Sequence, residues 1–439
     1  MATPRTALRR AAPPALLLAL TLAACGGGEV ASFVATIARV SLDPFGFQAN
    51  GASTQAAITP DGRYTAFTSA ANNLLVSDTN GVADVFRYDR LTDTLARVSV
   101  NNAGFAGSGA SGSPAISADG RYVAFMSLSA LVNTDTNGVA DVYLRDTLAG
   151  TTTRVSPDVF DGPADGASDA PAISADGKYV AFASLASDLV AGDTNGVADI
   201  FLRDTLAGTT TRISVDTAGT DANGPSRAPA ISADGGLVAF ESDASDLVTA
   251  DGNAVADVFR RDTVSATTAR VSVDTAGTDA NGPSRAPAIS ADGGLVAFES
   301  DASDLVTGDG NAVADVFLRD TASGTTTRHS VNDLGGQANQ PSRHPALSGD
   351  GTVLAFVSGA SNLVDDDSNG TAIDDLFLRY PATATTVRVT DGRFGQANGA
   401  SAAPVLNTDG TVLAFESAAF NLVTNDTNGL VDLFRATVP

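Results

Sequence analysis

Residues 170–227 read APAISADGKYVAFASLASDLVAGDTNGVADIFLRDTLAGTTTRISVDTAGTDANGPSR. The Asp-Gly pair inside this stretch recurs at Asp61, Asp119, Asp176, Asp234, Asp292, Asp350 and Asp409, at spacings of 58, 57, 58, 58, 58 and 59 residues. A fixed period of this size marks a repeat architecture, in which each copy buries its apolar faces against its neighbours. Within one copy, Ala170–Ser174, Tyr179–Ser184, Asp199–Asp204 and Thr210–Val215 are short runs rich in Val, Ile, Phe, Tyr and Thr. Gly, Asp, Asn and Pro bound each run, which is the signature of strands. Asp176-Gly177 suits a tight hairpin, because Gly accepts positive φ and Asp bonds its own backbone. Leu206-Ala207-Gly208-Thr209 closes a second hairpin. Four antiparallel strands, radially repeated, describe a β-propeller blade.

The two ends of the chain predict closure. The last copy has three strands, Ala403–Asn407, Val412–Ser417 and Asp432–Ala436, and then stops. Residues 36–42, TIARVSL, match the fourth strand of other copies yet precede any first strand. An all-β, seven-bladed propeller over residues 36–439, its last blade completed by residues 36–42, reconciles both facts and leaves no open sheet edge. A linear solenoid would not need the displaced strand. Residues 214–249 are identical to 272–307, so two blades arose by recent duplication. A catalytic centre assembled from unique residues would be disturbed by such an insertion.

Residues 1–24 have the plan of an export signal. Arg5, Arg9 and Arg10 precede an apolar stretch from Ala11 to Ala24, too short to span a bilayer. Leu22-Ala23-Ala24-Cys25 resembles a bacterial lipobox, which implies cleavage before Cys25 and lipidation of its thiol. Residues 25–35 would then be a tether. The resemblance implies the cell envelope, and the outer membrane in a Gram-negative host. Cys25 is the single cysteine, so no internal disulfide forms and stability must come from packing. The formal net charge of −24 argues against nucleic acid and against electrostatic docking on anionic lipid.

The Ser-x-Asp-Gly-[Arg/Lys]-Tyr-x-Ala-Phe core, as in Ser117–Phe125 and Ser174–Phe182, resembles the WD40-like repeat of TolB-type propellers. The resemblance covers all seven copies, although copies four to seven lack the Arg or Lys. It implies a propeller whose Pro-x-Ile-Ser segment is the innermost strand. The extra amino-terminal domain of TolB has no match here, so its role beside the peptidoglycan-associated lipoprotein does not carry over.

The strongest chemical signal is Asp-x-Asn-Gly-x-x-Asp. It occurs as Asp78/Asn80/Asp84, Asp135/Asn137/Asp141, Asp193/Asn195/Asp199 and Asp426/Asn428/Asp432. Asp251/Asn253/Asp257 and Asp309/Asn311/Asp315 keep the polar positions, and Asp367/Asn369 is followed by Asp374 and Asp375. Oxygens at positions 1, 3 and 7, with a carbonyl at 5, match the first half of an EF-hand calcium loop. Calcium is therefore a candidate cofactor. The bidentate Glu of position 12 is missing, and an Asp there, such as Asp204, lies roughly 16 Å along a strand. The alternative is an Asx-turn whose side chains cap backbone N–H groups.

Arg39, Arg97, Arg154, Arg212, Arg270, Arg328 and Arg388 recur in the fourth strand and predict cross-strand ion pairs, Arg212 with Asp204. Arg227, Arg285, Arg343 and His344 precede the innermost strands of three blades, which places them at a channel mouth. An arginine cluster suits a carboxylate or phosphate; loop arginines bonded to nearby Asp are the alternative. His329 takes a position that is Val or Ile in most copies and predicts a packed residue. No His-Glu-x-x-His, Gly-x-Ser-x-Gly or P-loop occurs.

These readings favour a non-enzymatic, membrane-tethered, monomeric propeller that binds an envelope protein or an extended polymer. The alternatives are a channel-centred enzyme, such as a lactonase or polysaccharide lyase, and a structural or adhesive surface protein. In a four-stranded meander the connections alternate between ends. The Asp-Gly turns share one end, and the Asp-x-Asn-Gly loops share the other with the blade-linking segments. The second end is the predicted binding face.

Overall fold

The computed structural model describes residues 35–370, 373–392 and 394–438. The proposed signal and Cys25 lie outside these residues. Seven four-stranded antiparallel sheets make the propeller, and no helix occurs among the described residues. In the third blade the strands are Ser168–Ile173, Tyr179–Ser184, Asp199–Asp204 and Thr209–Arg212. The fourth is shorter than its apolar run, because the chain turns away after Arg212 into a small hairpin pinned by a Val215–Asp221 bridge. The seventh sheet joins Thr36–Arg39 to Asp432–Thr437, with Thr36 opposite Thr437 and Arg39 opposite Phe434. The displaced strand thus closes the ring.

Each blade is built around one aromatic pair. Phe182 of the second strand faces Phe201 of the third, their rings stacked at 5.9 Å. Equivalent pairs in the other six blades stack at 5.7–6.0 Å. Between blades, Ala181, Ile200, Leu202 and Ile213 of the third pack against Val238, Phe240 and Phe259 of the fourth. Both faces of a blade are therefore interior, which is why its strands read as continuous apolar runs rather than alternating ones. Each buried Phe contributes about 1.5–3 kcal/mol, and the buried Val, Leu and Ile around the pairs contribute comparably.

Two features of the innermost strands shape the central channel. At the turn end, a belt of backbone bonds runs from blade to blade. Ala118 N–H donates to Ala175 O, Ala175 to Ala233, Ala233 to Ala291 and Ala291 to Gly349, each at 2.8 Å. Asp350 N–H donates to Thr408 O, and Thr408 N–H to Pro60 O. Pro60 has no N–H to pass on, so the belt opens only between the first and second blades. At the other end, every innermost strand is bulged at its third residue. Gln55, Ser113, Ala170, Ala228, Ala286, His344 and Ala403 all have φ of 47–55°. A non-glycine residue held there costs on the order of 1 kcal/mol, and six of the seven precede a proline. The bulge turns each N–H out of its ladder and towards the preceding blade.

Candidate functional site

Two arrangements hold the residues singled out from the sequence. The first is the Asp-x-Asn-Gly loop. In the third blade Asp199 opens the third strand fully buried. Its Oδ1 accepts the Ser214 hydroxyl, and its Oδ2 accepts Asn195 Nδ2 at 2.9 Å. The same Asn195 nitrogen donates to Ala222 O in the linking segment, and Asn195 Oδ1 accepts Val197 N–H. Arg212 of the fourth strand reaches in from the side. Its Nη1 lies 3.2 Å from Asp193 and 3.7 Å from Asp199, and it also contacts Asp221.

The pattern repeats around the ring. Arg97 lies 3.2 Å from Asp78 and 3.1 Å from Asp84. Arg270 lies 3.1 Å from Asp251 and 3.5 Å from Asp257. Arg328 lies 2.8 Å from Asp309 and 3.6 Å from Asp315. Arg39 lies 2.8 Å from Asp426 and 3.5 Å from Asp432, across the ring closure. Arg388 contacts Asp366, Asp367 and Asp391. The second blade departs from the pattern. Tyr143 replaces phenylalanine and its hydroxyl bonds Asp135. Asn137 still bonds Asp141, while Arg154 bonds the carbonyls of Thr134 and Asp161.

Of the two readings of these loops, the asparagines adopt the geometry of the turn. Asn80 Nδ2 donates to Asp84 at 2.9 Å, Asn253 Nδ2 to Asp257 at 2.9 Å and Asn311 Nδ2 to Asp315 at 2.8 Å. The same three nitrogens also donate to the carbonyls of Gly107, Ala280 and Ala338 in the linking segments. The amide oxygens of Asn80, Asn253 and Asn311 accept the N–H groups of Val82, Val255 and Val313, two residues on. That is the geometry of an Asx-turn. The physical reason is that a buried carboxylate needs donors, and the amide nitrogen is the donor the loop supplies.

The expected partner of the fourth-strand arginines is corrected as well. Arg212 stands opposite Phe201, and Asp204 stands opposite Thr209. Asp204 instead caps the N–H groups of Leu206 and Ala207 and meets Lys178 at 3.4 Å. Asp89 and Asp146 take Arg63 and Arg121 in the same way. In six blades a guanidinium thus lies against the carboxylates read as cation ligands.

Burial pushes the Asp193 carboxyl up to about 6, with Asp199 repelling and Arg212 opposing. Burial likewise raises Asp78, Asp251, Asp309 and Asp426, and the position-seven groups Asp141, Asp199, Asp257, Asp315 and Asp375. Arg121, through its hydrogen bond, instead draws Asp146 down to about 2.

The second arrangement is the channel. Its waist encloses about 370 Å³ and is lined by successive Pro-Ala-Ile segments, such as Pro171-Ala172-Ile173, with Leu347, Val405 and Leu406 closing the circle. The mouth opposite the Asp-Gly turns is polar. Arg227, Arg285 and Arg343 are the second residues of their innermost strands, beside the bulges. The sequence placed them just before those strands, and they do stand at the mouth. Arg227 pairs with Glu241 at 2.6 Å and Asp243 at 2.9 Å. Arg285 pairs with Glu299 at 3.1 Å and with Asp301. Arg343 and His344 are exposed. Glu241, Glu299 and Glu416 were missed as mouth residues; their place on the second strand, opposite the arginine position, was the available signal. His329 is buried, and burial lowers it to about 4, as a packed residue requires.

No protein-family model and no curated protein matches the chain. Among solved structures, oligogalacturonate lyase from Vibrio parahaemolyticus is similar at 13% identity and TM-score 0.55, over 92% of this chain and 97% of that one. A puromycin-hydrolysing peptidase from Mycobacterium tuberculosis is similar at 13% identity and TM-score 0.52, over 87% and 53%. TolB from Acinetobacter baumannii is also a neighbour, at 16% identity and TM-score 0.41, over 77% of this chain and 63% of its own length. The likeness is one of fold.

Two outcomes are expected of thermal melts. A carboxyl whose folded pKa exceeds its unfolded value near 3.8 stabilises the fold when protonated. That contribution is full below the unfolded value and is lost as pH rises through the folded one. For Asp193 the window is about 4 to 6. The melting temperature should therefore rise from pH 7 to pH 5, and a monotonic fall over that interval would contradict the raised carboxyls. With arginine already in place, melts in millimolar calcium and in chelator should coincide. A clear rise in calcium would favour the calcium reading instead.

Proposed function

We propose that this chain is a non-enzymatic scaffold of a bacterial cell envelope, tethered through lipidated Cys25. Its partner is an envelope protein or an extended polymer, docked on the end that carries the Asp-x-Asn-Gly loops and linking segments. The observation that carries this reading is the composition of the channel. Where a propeller enzyme would gather reacting groups, the seven blades contribute Pro, Ala, Ile, Leu and Val. The buried acids of the loops are engaged with the chain's own arginine, serine and asparagine side chains. A lyase or lactonase reading, which the fold of the solved neighbours also accommodates, lacks a comparable feature at the waist.

Exposed aromatics support the choice of end. The linking segments carry Phe45, Phe47, Phe105 and Phe160, which are 68–88% exposed. Such side chains supply large contact area at interfaces. The opposite end is less bare than its tight turns suggested, because Leu91, Leu148, Leu206 and Val264 stand exposed at equivalent hairpins of four successive blades. Site-specific photo-crosslinking in cells compares the two directly. Crosslinks are expected from positions 105 and 160 and not from 148 and 206; the reverse pattern would overturn the face assignment. Fatty-acid labelling tests the anchor. Label should be present in the wild type and absent in Cys25→Ser, and label that persists in the variant would refute lipidation.

A further inference from the structure

The channel mouth repeats a carboxylate clasp, and one copy lacks its carboxylate. Glu241 lies between Arg227 of its own blade and the bulged backbone of the next. Arg227 Nε donates to Glu241 Oε1 at 2.7 Å, and Ala286 N–H donates to Oε2 at 3.4 Å. Glu299 repeats this with Arg285, and it accepts His344 N–H at 2.9 Å. Glu416 accepts Gln55 N–H at 2.6 Å, and Gln55 Oε1 accepts Ser113 N–H at 2.9 Å. Four of the seven bulge N–H groups thus meet an oxygen from the preceding blade.

The other three, at Ala170, Ala228 and Ala403, meet no side-chain acceptor among the described residues, because the preceding blades present Met126, Ala183 and Val357 at the Glu position. Only one of these junctions also has an arginine. Arg343 stands opposite Val357, whereas Gly112 and Asp169 occupy its place in the second and third blades. Gly359 stands where Asp243 and Asp301 supply the outer partner of Arg227 and Arg285. Arg343 is therefore exposed with no carboxylate within ion-pair distance among the described residues, one residue from exposed His344.

We propose that the junction of the sixth and seventh blades binds the carboxylate of a ligand in the place of the missing glutamate. Arg343 supplies the charged donor and Ala403 the backbone N–H. This pairing joins the planar guanidinium fork to a fixed amide, as in the two filled copies. Pro345, Ala346 and Leu347 continue from this strand into the channel wall. The ligand is accordingly a monocarboxylate with an apolar body that lies against that wall. The site is independent of where a macromolecular partner docks.

The test is a calorimetric titration of the full chain with hexanoate, with methyl hexanoate as the uncharged comparison. Hexanoate should bind saturably at one site and the ester should not. Arg343→Gln should weaken hexanoate at least about tenfold. Val357→Glu restores the internal carboxylate of the neighbouring blades and should weaken it equally. Because three blades already carry Glu at this position (Glu241, Glu299 and Glu416), that variant is expected to melt like the wild type. Absence of saturable hexanoate binding at tens of millimolar, equal binding by the ester, or undiminished binding in Val357→Glu would each overturn the proposal.

Discussion

The structure depends on one buried carboxylate per blade. Asp199, or its equivalent, begins the third strand at the point where three separate pieces of chain must meet. The serine hydroxyl two residues beyond the fourth strand (Thr390 in the sixth blade) donates to one oxygen, while the asparagine of the preceding loop and, in most blades, the arginine reach the other. Through Asn195 the same knot holds the segment that leads to the next blade. A carboxylate buried this deeply is costly unless its lone pairs are filled. The knot therefore specifies geometry more than it adds stability. Any other path for the loop, the fourth strand or the linker would leave an unpaired charge inside.

In the seventh blade the same knot closes the ring. Ser41 donates to Asp432 at 2.7 Å, Asn428 donates to Asp432 and to Ala49 O, and Arg39 spans Asp426 and Asp432. Partners about 390 residues apart in sequence make the contacts that neighbours make elsewhere. Ring closure in turn fixes the channel, because the belt at the turn end and the bulges at the mouth both bond from blade to blade. The mouth is thus a set of repeated positions held rigidly, on which single substitutions such as Val357 stand out.

Much of the fold was legible because the period and the Asp-Gly hairpins fix the strands that flank them. The second and third strands of the third blade fall where their apolar runs do. The ends of the first and fourth strands were not legible in this way. At Ala170-Pro171 the apolar composition hides a bulge, and the cue was the proline, which suits a bulge better than a central strand. The arginine partner was misassigned because a hairpin places Asp204 near Arg212 in sequence, while register sends the two side chains to different clusters. Which end of the Asn80, Asn253 and Asn311 amides faces the acid was equally hidden, since the motif names the residue and not its rotamer. The mouth was half legible. The arginines stood out by repetition, but their glutamates, and the one missing glutamate, emerged only once register paired the second residue of the first strand with its partner on the second.

Double-mutant cycles on the serine–aspartate bond of the knot test this account most directly. One cycle pairs Ser214→Ala with Asp199→Asn inside the third blade, and the other pairs Ser41→Ala with Asp432→Asn across the closure. Coupling energies come from denaturant unfolding. A hydrogen bond to a charged group contributes about 1.5–3 kcal/mol, and the account predicts the same coupling in both cycles. Coupling in the third blade with none between Ser41 and Asp432 would mean that the amino-terminal strand does not close the ring.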